Sequence, residues 1–271
     1  MNLNGKRIVL TGAAGGIGQP LALALSNEGA KLALVDRDQA RVSTLCEQII
    51  QSGGTAIAIV TDFQATYAVP DPAQSVIDEA TARLGAIDIL INSAGIGDFT
   101  LFSEQSTVRI AQMMHINATV PMQLTRALLP SILARNSGQI VNIGSIFGSI
   151  GFPHYATYSA SKFALHGFSQ ALRRELVDSG IVVTYIAPRA IKTPMNDQAA
   201  SKMLAATNTA MDDPQVVVAQ IIKAIAADKH EHYIGQPESL FAWLNGFLPS
   251  VVNIGLKKQA RIARQFVVNK N

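Results

Sequence analysis

The chain has 271 residues, 48% of them hydrophobic and 15% charged, enough apolar content to bury a large core and too little charge for a disordered segment. Its formal charge of +3 is concentrated at one end: Lys257, Lys258, Arg261, Arg264 and Lys270 follow Ser239 with no acid among them, so the remainder is slightly acidic and a general nucleic-acid surface is excluded. Lone Cys46 excludes an internal disulfide and the N-terminus runs straight into the short apolar Ile8-Val9-Leu10 without a secretory signal, which leads to the expectation of a cytoplasmic protein.

Arg7 to Thr11 reads as a first strand, followed by the loop Thr11-Gly12-Ala13-Ala14-Gly15-Gly16-Ile17-Gly18 and a helical pattern through Leu21, Ala24 and Leu25. Glycines there let the backbone turn tightly and approach a pyrophosphate, while the amides opening the next helix supply donors and a positive dipole end. A glycine-rich turn alone is compatible with a plain turn; between strand and helix it points to a dinucleotide. The second strand, Lys31 to Val35, ends at Asp36, where an acid can accept hydrogen bonds from an adenosine ribose and repel a 2′-phosphate. That favours NAD over NADP, with NADP possible because Arg37 stands beside it; the alternative for Asp36 is a solvated loop acid.

A helix from Gln39 to Ser52 leads to a third strand, Ala56 to Thr61, and to Asp62, a candidate acceptor for the adenine amino group. Asp71 to Leu84 reads as a helix, and Ile87 to Ile91 as a fourth strand ending in Asn92-Ser93-Ala94-Gly95, small residues that leave room for a cofactor. In the long helical region from Glu104 to Arg135, Pro121 deprives the Asn117 carbonyl of its usual helical partner. Either this is an ordinary kink, or that carbonyl holds a water on a proton path.

The apolar run Gln139 to Gly144 suits a buried parallel strand and delivers Ser145 to a carboxyl end. Thirteen residues later, Tyr158 and Lys162 lie four apart in a helix from Ala156 to Asp178, so they share one face. Such a pair is common on helix surfaces, but here a phenol, an ammonium and a hydroxyl converge on one sheet edge: one hydroxyl to hold a substrate oxygen, one to exchange its proton, and Lys162 to favour the phenolate. A sixth strand, Ile181 to Ile186, ends in Ala187-Pro188-Arg189-Ala190-Ile191-Lys192-Thr193; a weakly patterned substrate cover occupies residues 188–212; a helix spans Pro214 to Ala227, and His232 to Ile234 forms a short last strand. The alternation implies a single-domain α/β fold: one doubly wound parallel sheet with helices on both faces over residues 1–238, and a C-terminal helical extension over 239–271.

Thr11-Gly12-x-x-x-Gly16-Ile17-Gly18, Asn92-x-Ala94-Gly95, Asn117, Ser145 and Tyr158-x-x-x-Lys162, together and in order, resemble the short-chain dehydrogenase/reductase family over about 190 residues. The resemblance implies a Rossmann-type fold and hydride transfer with a nicotinamide cofactor. It makes Tyr158 the acid/base, Lys162 its electrostatic partner and a ribose ligand, Ser145 the anchor of the substrate oxygen and Asn117 the holder of a relay water. The cofactor site it implies comprises Gly12, Gly16, Ile17, Gly18, Asp36, Arg37, Asp62, Asn92, Ala94, Gly95, Tyr158, Lys162, Pro188, Ile191 and Thr193. Two departures stand out: Arg189 replaces the glycine that usually follows the proline of the sixth strand, which bears on the nicotinamide loop, and Ser93 replaces a frequent second asparagine.

From Leu240 to Leu256 no residue is charged, and Phe241, Trp243, Phe247 and Leu248 precede the basic segment. This stretch is too short and broken to span a bilayer; it reads as a helical hairpin packed on the cleft or across a dimer, with peripheral contact to an anionic membrane as the alternative. The histidines compose no metal site: His230 and His232 lack neighbouring ligands, His115 and His166 read as packing or surface residues, and His154 is a candidate for the pocket wall. The expected function is an NAD(H)-dependent oxidoreductase of an apolar secondary alcohol or ketone. The alternatives are an NADPH-dependent reductase of oxoacyl or other carbonyl compounds and a non-catalytic redox sensor. The expected partners are that small molecule and further copies of the chain in a homodimer or homotetramer, with no nucleic acid.

Overall fold

Seven short runs rich in Val, Ile, Leu and Ala pair into one sheet in a computed structural model that describes residues 1–64 and 72–268. The strands are β1 (Arg7–Thr11), β2 (Lys31–Asp36), β3 (Thr55–Val60), β4 (Ile89–Asn92), β5 (Gly138–Ile143), β6 (Ile181–Pro188) and β7 (Glu231–Ile234). Their order is β3-β2-β1-β4-β5-β6-β7, with every neighbouring pair parallel. All carboxyl ends therefore face one way, and the order reverses between β1 and β4, which opens a crevice at that edge.

Side chains alternate across the sheet and feed two cores. Ile8, Leu10, Leu32 and Leu34 point to one side, where they meet Leu21 and Leu25 of α1 (Gly18–Asn27), Val42 and Ile49 of α2 (Gln39–Gln51) and Val217 and Ile221 of α8 (Pro214–Ala226), the numbering allowing for the helices that follow. Val9, Ala33 and Val35 point to the other, against Val76 and Ile77 of α3 (Pro72–Leu84), Leu124 and Leu128 of α5 (Val120–Ala134) and Leu172 of α6 (Ala156–Glu175). Each fully buried Leu or Ile contributes about 1.5–3 kcal/mol. Asp71, expected as the first residue of α3, lies outside the described residues, as do Lys270 and Asn271 of the basic tail.

Two segments differ from the sequence expectation. The long helix expected between Glu104 and Arg135 is α4 (Thr107–Met114), a π turn (His115–Thr119) and α5. Pro121 explains the break: it supplies no amide, and the ladder shifts by one residue so that the Val120 N–H bonds the His115 carbonyl. Part of the segment read as a patternless cover is α7 (Gln198–Ala206), opened by the Asp197 carboxylate, which accepts from Ala200 N at 2.7 Å. Ala200, Met203 and Leu204 give it an apolar face, which packs on Ala263 and Val267 of α10 (Pro249–Val268). The chain after β7 is α9 (Glu238–Asn245) followed by α10, and no helix among the described residues is long and apolar enough to cross a membrane.

At the opposite edge, Arg7 and Asp88 tie the start of β1 to the entry of β4: both carboxylate oxygens accept from the guanidinium at 2.9 Å, and Oδ2 also accepts the Arg7 backbone N–H at 2.9 Å. Burial pushes the Asp88 carboxyl up, but the hydrogen bonds and charge of Arg7 outweigh it and leave the carboxyl below its ordinary value. Stability from a depressed carboxyl is present above the unfolded pKa of about 3.9 and is lost as pH falls through the folded value. Asp88→Asn should therefore cost about 1–3 kcal/mol in thermal unfolding at neutral pH, and the deficit should shrink toward zero in acid. A deficit that stayed constant with pH would contradict this account.

Candidate active site

The loop after β1 turns at Gly12, whose φ is +66°, and a Cβ there would lie 2.8 Å from Ala94 Cα, so the first and fourth strand loops are packed backbone to backbone. Thr11 Oγ1 fastens the same junction by accepting from Ser93 N at 3.0 Å and Ala94 N at 3.1 Å. A Cβ on Gly16 would lie 2.7 Å from Thr193 Cβ, which brings the loop after β6 to the same place. The result is a cavity of about 1100 Å³ along the carboxyl edge. Gly12, Gly16, Ile17 and Gly18 line one end with Asp36, Arg37, Arg41 and Asp62. Asp36 is set in place: Oδ2 accepts from Ala14 N at 2.9 Å and Oδ1 from Asp38 N at 3.1 Å. Asp62 Oδ1 accepts from Gln64 N at 2.9 Å. A turn too tight for side chains, opening onto the N-terminus of α1 with a fixed acid beyond it, suits a dinucleotide with a free ribose diol.

Midway along the cavity stand Ser145, Tyr158 and Lys162. Ser145, directly after β5, accepts from Phe147 N at 3.1 Å and shares a side-chain hydrogen bond with Tyr158. Lys162 is 5% exposed; its ammonium donates to the Ile143 carbonyl at 3.0 Å and lies 5.8 Å from the Tyr158 ring centroid. Burial lowers the Lys162 ammonium to about 8. Burial also pushes the Tyr158 phenol above its ordinary value, against a smaller opposite effect of the Ser145 hydrogen bond. The expected pull of Lys162 is not among the influences on the phenol, which burial dominates, and Tyr158 is held protonated.

Asn117 reaches this group from the π turn. Its Oδ1 accepts from Ile96 N at 2.9 Å, and its Nδ2 donates to Ile96 O at 2.9 Å and to Ser161 Oγ at 3.0 Å. Ser161 in turn donates to the Tyr158 carbonyl at 2.7 Å, so Asn117 locks α6 to the loop after β4. Gly95 keeps that loop close: a Cβ there would lie 3.3 Å from Asn117 Oδ1 and 3.7 Å from Lys162 Nζ.

Several placements depart from the sequence expectation. Asn92 does not enter the cavity; it is 2% exposed and donates to Asn142 Oδ1 at 2.8 Å, as the last residue of β4 turned into the core, while Ser93, Ala94 and Gly95 line the site. His154 stands edge-on to Phe99 with ring centroids 5.9 Å apart and does not line the cavity. Arg189, expected to disturb the nicotinamide loop or face the substrate mouth, borders the cavity but spends its guanidinium as a clamp. It donates to Asp212 at 3.0 and 2.7 Å, to Glu238 at 3.0 Å and to the Gln236 carbonyl at 2.7 Å, and so ties the cover and the start of α9 to the end of β6. Pro188, Ile191 and Thr193 line the cavity beside it.

Tyr185 escaped the sequence reading. It is fully buried on β6, and its hydroxyl donates to Ser145 O at 3.2 Å and accepts from Ser145 N at 3.4 Å, so it holds the backbone that aims the Ser145 hydroxyl. The signal was indirect: Gly144 and Gly148 flank Ser145, and a Cβ on either would collide with the Tyr185 ring or hydroxyl. Beyond Tyr158 the wall is aromatic. Phe147 and Phe152 stack with centroids 5.0 Å apart, and Tyr155 stands 6.2 Å from Tyr158. Phe241 and Leu244 of α9 and Val251 and Leu256 of α10 close that end.

The family model described as short chain dehydrogenase matches residues 6–204. The chain is 34% identical over 237 residues to Ketoacyl reductase HetN of Nostoc sp., covering 86% of this chain and 80% of that protein. It is 33% identical over 276 residues to Dehydrogenase/reductase SDR family protein 7-like of Anopheles gambiae, covering 96% and 84%. The fold is shared with a crystal structure of a short chain dehydrogenase/reductase from Burkholderia phymatum in complex with NAD, at a TM-score of 0.82 and 21% identity over 93% of this chain and 96% of that one.

A buried ammonium whose folded pKa is depressed burdens the fold below that value, and the burden is relieved as pH rises from the folded toward the unfolded pKa, because the unfolded state then binds more protons. For Lys162 the window runs from about 8 up to its ordinary 10.5. Lys162→Met should therefore be more stable than the parent at pH 7, by roughly 1–3 kcal/mol, and thermal unfolding should show the advantage shrinking across that window. A variant less stable at pH 7 would mean the ammonium is better compensated than its surroundings indicate.

Proposed function

The chain belongs to the short-chain dehydrogenase/reductase family and is an oxidoreductase of alcohol or carbonyl groups, and on that premise we propose that it moves a hydride between NAD(H) and an apolar secondary alcohol or ketone, with Tyr158 exchanging the proton of the substrate oxygen. The observation that carries the reading is one continuous cavity with a glycine cradle and fixed acid at one end, Ser145, Tyr158 and Lys162 midway, and an aromatic wall at the other.

In this reading Gly12, Gly16, Ile17 and Gly18 hold the pyrophosphate, Asp36 the adenosine ribose, Asp62 the adenine, and Ala94, Gly95, Pro188, Ile191 and Thr193 border the nicotinamide half. Bound there, the nicotinamide gives or accepts the hydride. Ser145 Oγ takes the Phe147 amide on one side, and its hydrogen, shared with Tyr158 in the protein alone, turns to the substrate oxygen when one is bound. Tyr158, kept neutral by burial, is the donor of the proton in the reducing direction. In the oxidising direction it must first lose that proton, and the charge available to help is the Lys162 ammonium, present below about pH 8. Lys162 also has donors for the nicotinamide ribose, and the proton leaves past Lys162 toward a water held at Asn117.

Asp36 supports NAD, since a carboxylate pinned by two amides repels a 2′-phosphate. A second reading, reduction of an oxoacyl or similar carbonyl compound with NADPH, is favoured by Arg37 and Arg41 at the same end of the cavity and by the name of the Nostoc relative.

Tyr158→Phe tests the proposal. It should keep NADH affinity and lose turnover by about 100-fold or more on any substrate the parent converts; unchanged turnover would overturn the role given to Tyr158.

A further inference from the structure

The hairpin of α9 and α10 turns its apolar side chains outward. Trp243 is 61% exposed, Phe247 70%, Leu248 53%, Val251 52% and Ile254 67%, a concentration of large apolar groups that a lone soluble surface does not maintain. Trp243 and Phe247 pack on each other with centroids 5.1 Å apart, forming a ridge. The inward face of α10 carries Val252, Ala263 and Val267, all buried. Its outward face runs Val251, Ile254, Lys258, Arg261, at steps of three and four residues, with Phe247 in the turn just before the helix, so a helical stripe passes from apolar to basic. Lys257 and Arg264 flank the basic half, all four cations are exposed, and none joins an ion pair among the described residues. The last acidic residue of the chain is Glu238.

We propose that this hairpin seats the protein on an anionic bilayer, with Trp243, Phe247 and Ile254 in the acyl-chain boundary and Lys258 and Arg261 among the headgroups. The charge pattern selects this occupant. A second copy of the chain across a two-fold axis would bring the same patch, which contains no acid, and so would cover apolar side chains without supplying a partner for the four cations. Anionic lipid supplies the missing negative charge. The hairpin lies on the bilayer and does not cross it, since no described helix is long and apolar enough to span.

Phe241 and Val251 belong both to the exposed patch and to the cavity wall. A docked hairpin therefore brings the aromatic end of the cavity to the lipid, and an alcohol or ketone dissolved in the bilayer can enter without crossing water. That substrate route rests on the oxidoreductase reading; the docking does not.

Trp243 is the sole tryptophan, so its fluorescence reports the hairpin directly. Full-length protein is titrated with vesicles of phosphatidylcholine, with and without phosphatidylglycerol, and with brominated acyl chains as quenchers. Docking predicts a blue shift and bromine quenching with the anionic vesicles, weakening as salt is raised. The double variant Lys258→Glu/Arg261→Glu should lower vesicle affinity at least about tenfold, and Phe247→Ser/Ile254→Ser should abolish quenching. None of these four residues lines the cavity, so NADH titration of the same variants should match the parent; if the parent binds vesicles but no NADH, the NAD(H) reading fails and the docking stands. Absence of quenching with anionic vesicles would overturn the proposal, as would a blue shift that follows protein concentration without lipid, which would assign the patch to a second copy.

Discussion

An ammonium held where water barely reaches is costly, and the arrangement of this protein around Lys162 turns that cost into reactivity. Taking such a charge out of water without a counter-ion destabilises the fold, and here the answering group is a neutral carbonyl, Ile143 O, at the end of β5. The consequence is an amine drawn down to about 8 beside a phenol pushed up, two groups whose proton affinities, nearly equal in water, have moved apart. That is a poor arrangement for stability, and it leaves the lysine titrating near neutral pH beside a phenol that keeps its proton. The neighbouring fastenings, Asn117 to Ser161 and Tyr185 to Ser145, spend buried polar groups on holding the two residues in register.

Sheet topology makes this placement possible. With all strands parallel, every strand end delivers its loop to one edge, and the reversal between β1 and β4 leaves space there. The glycine turn, the Ser93 to Gly95 loop and Thr193 arrive from β1, β4 and β6 and are packed so closely that a side chain at Gly12 would collide with Ala94 and one at Gly16 with Thr193. The Arg189 clamp does comparable work further out. By pairing with Asp212 and Glu238 it couples the cover to the C-terminal hairpin, so the two walls of the substrate end are joined through one guanidinium at the end of β6.

Most of the scaffold was legible in the sequence because it is written in local signals. Apolar runs of strand length, glycine turns and the helical spacing of Tyr158 and Lys162 depend on neighbours within a few residues. What was missed depends on partners far along the chain. Tyr185 and Ser145 are 40 residues apart, and nothing near Tyr185 announces the contact. Asn92 looked available because it ends a strand, but which way it faces is set by Asn142 on the adjacent strand. Pro121 correctly marked a break, yet a proline does not specify whether the ladder bends or takes up an extra residue, and the π turn that aims Asn117 inward follows from packing. Arg189 read as an intruder because its two acids, Asp212 and Glu238, come later in the chain.

The central claim is that the glycine cradle, Asp36 and the Lys162 ammonium together make a site for NAD(H). Calorimetric titration with NADH and, separately, NADPH, at pH 7 and again above the lysine's value of about 8, tests it without a substrate. The account predicts that NADH binds at least about tenfold tighter than NADPH, a difference of about 1.4 kcal/mol, and that its affinity falls as Lys162 loses its charge. Tighter binding of NADPH would contradict the role of Asp36, and no binding of either would contradict the account as a whole.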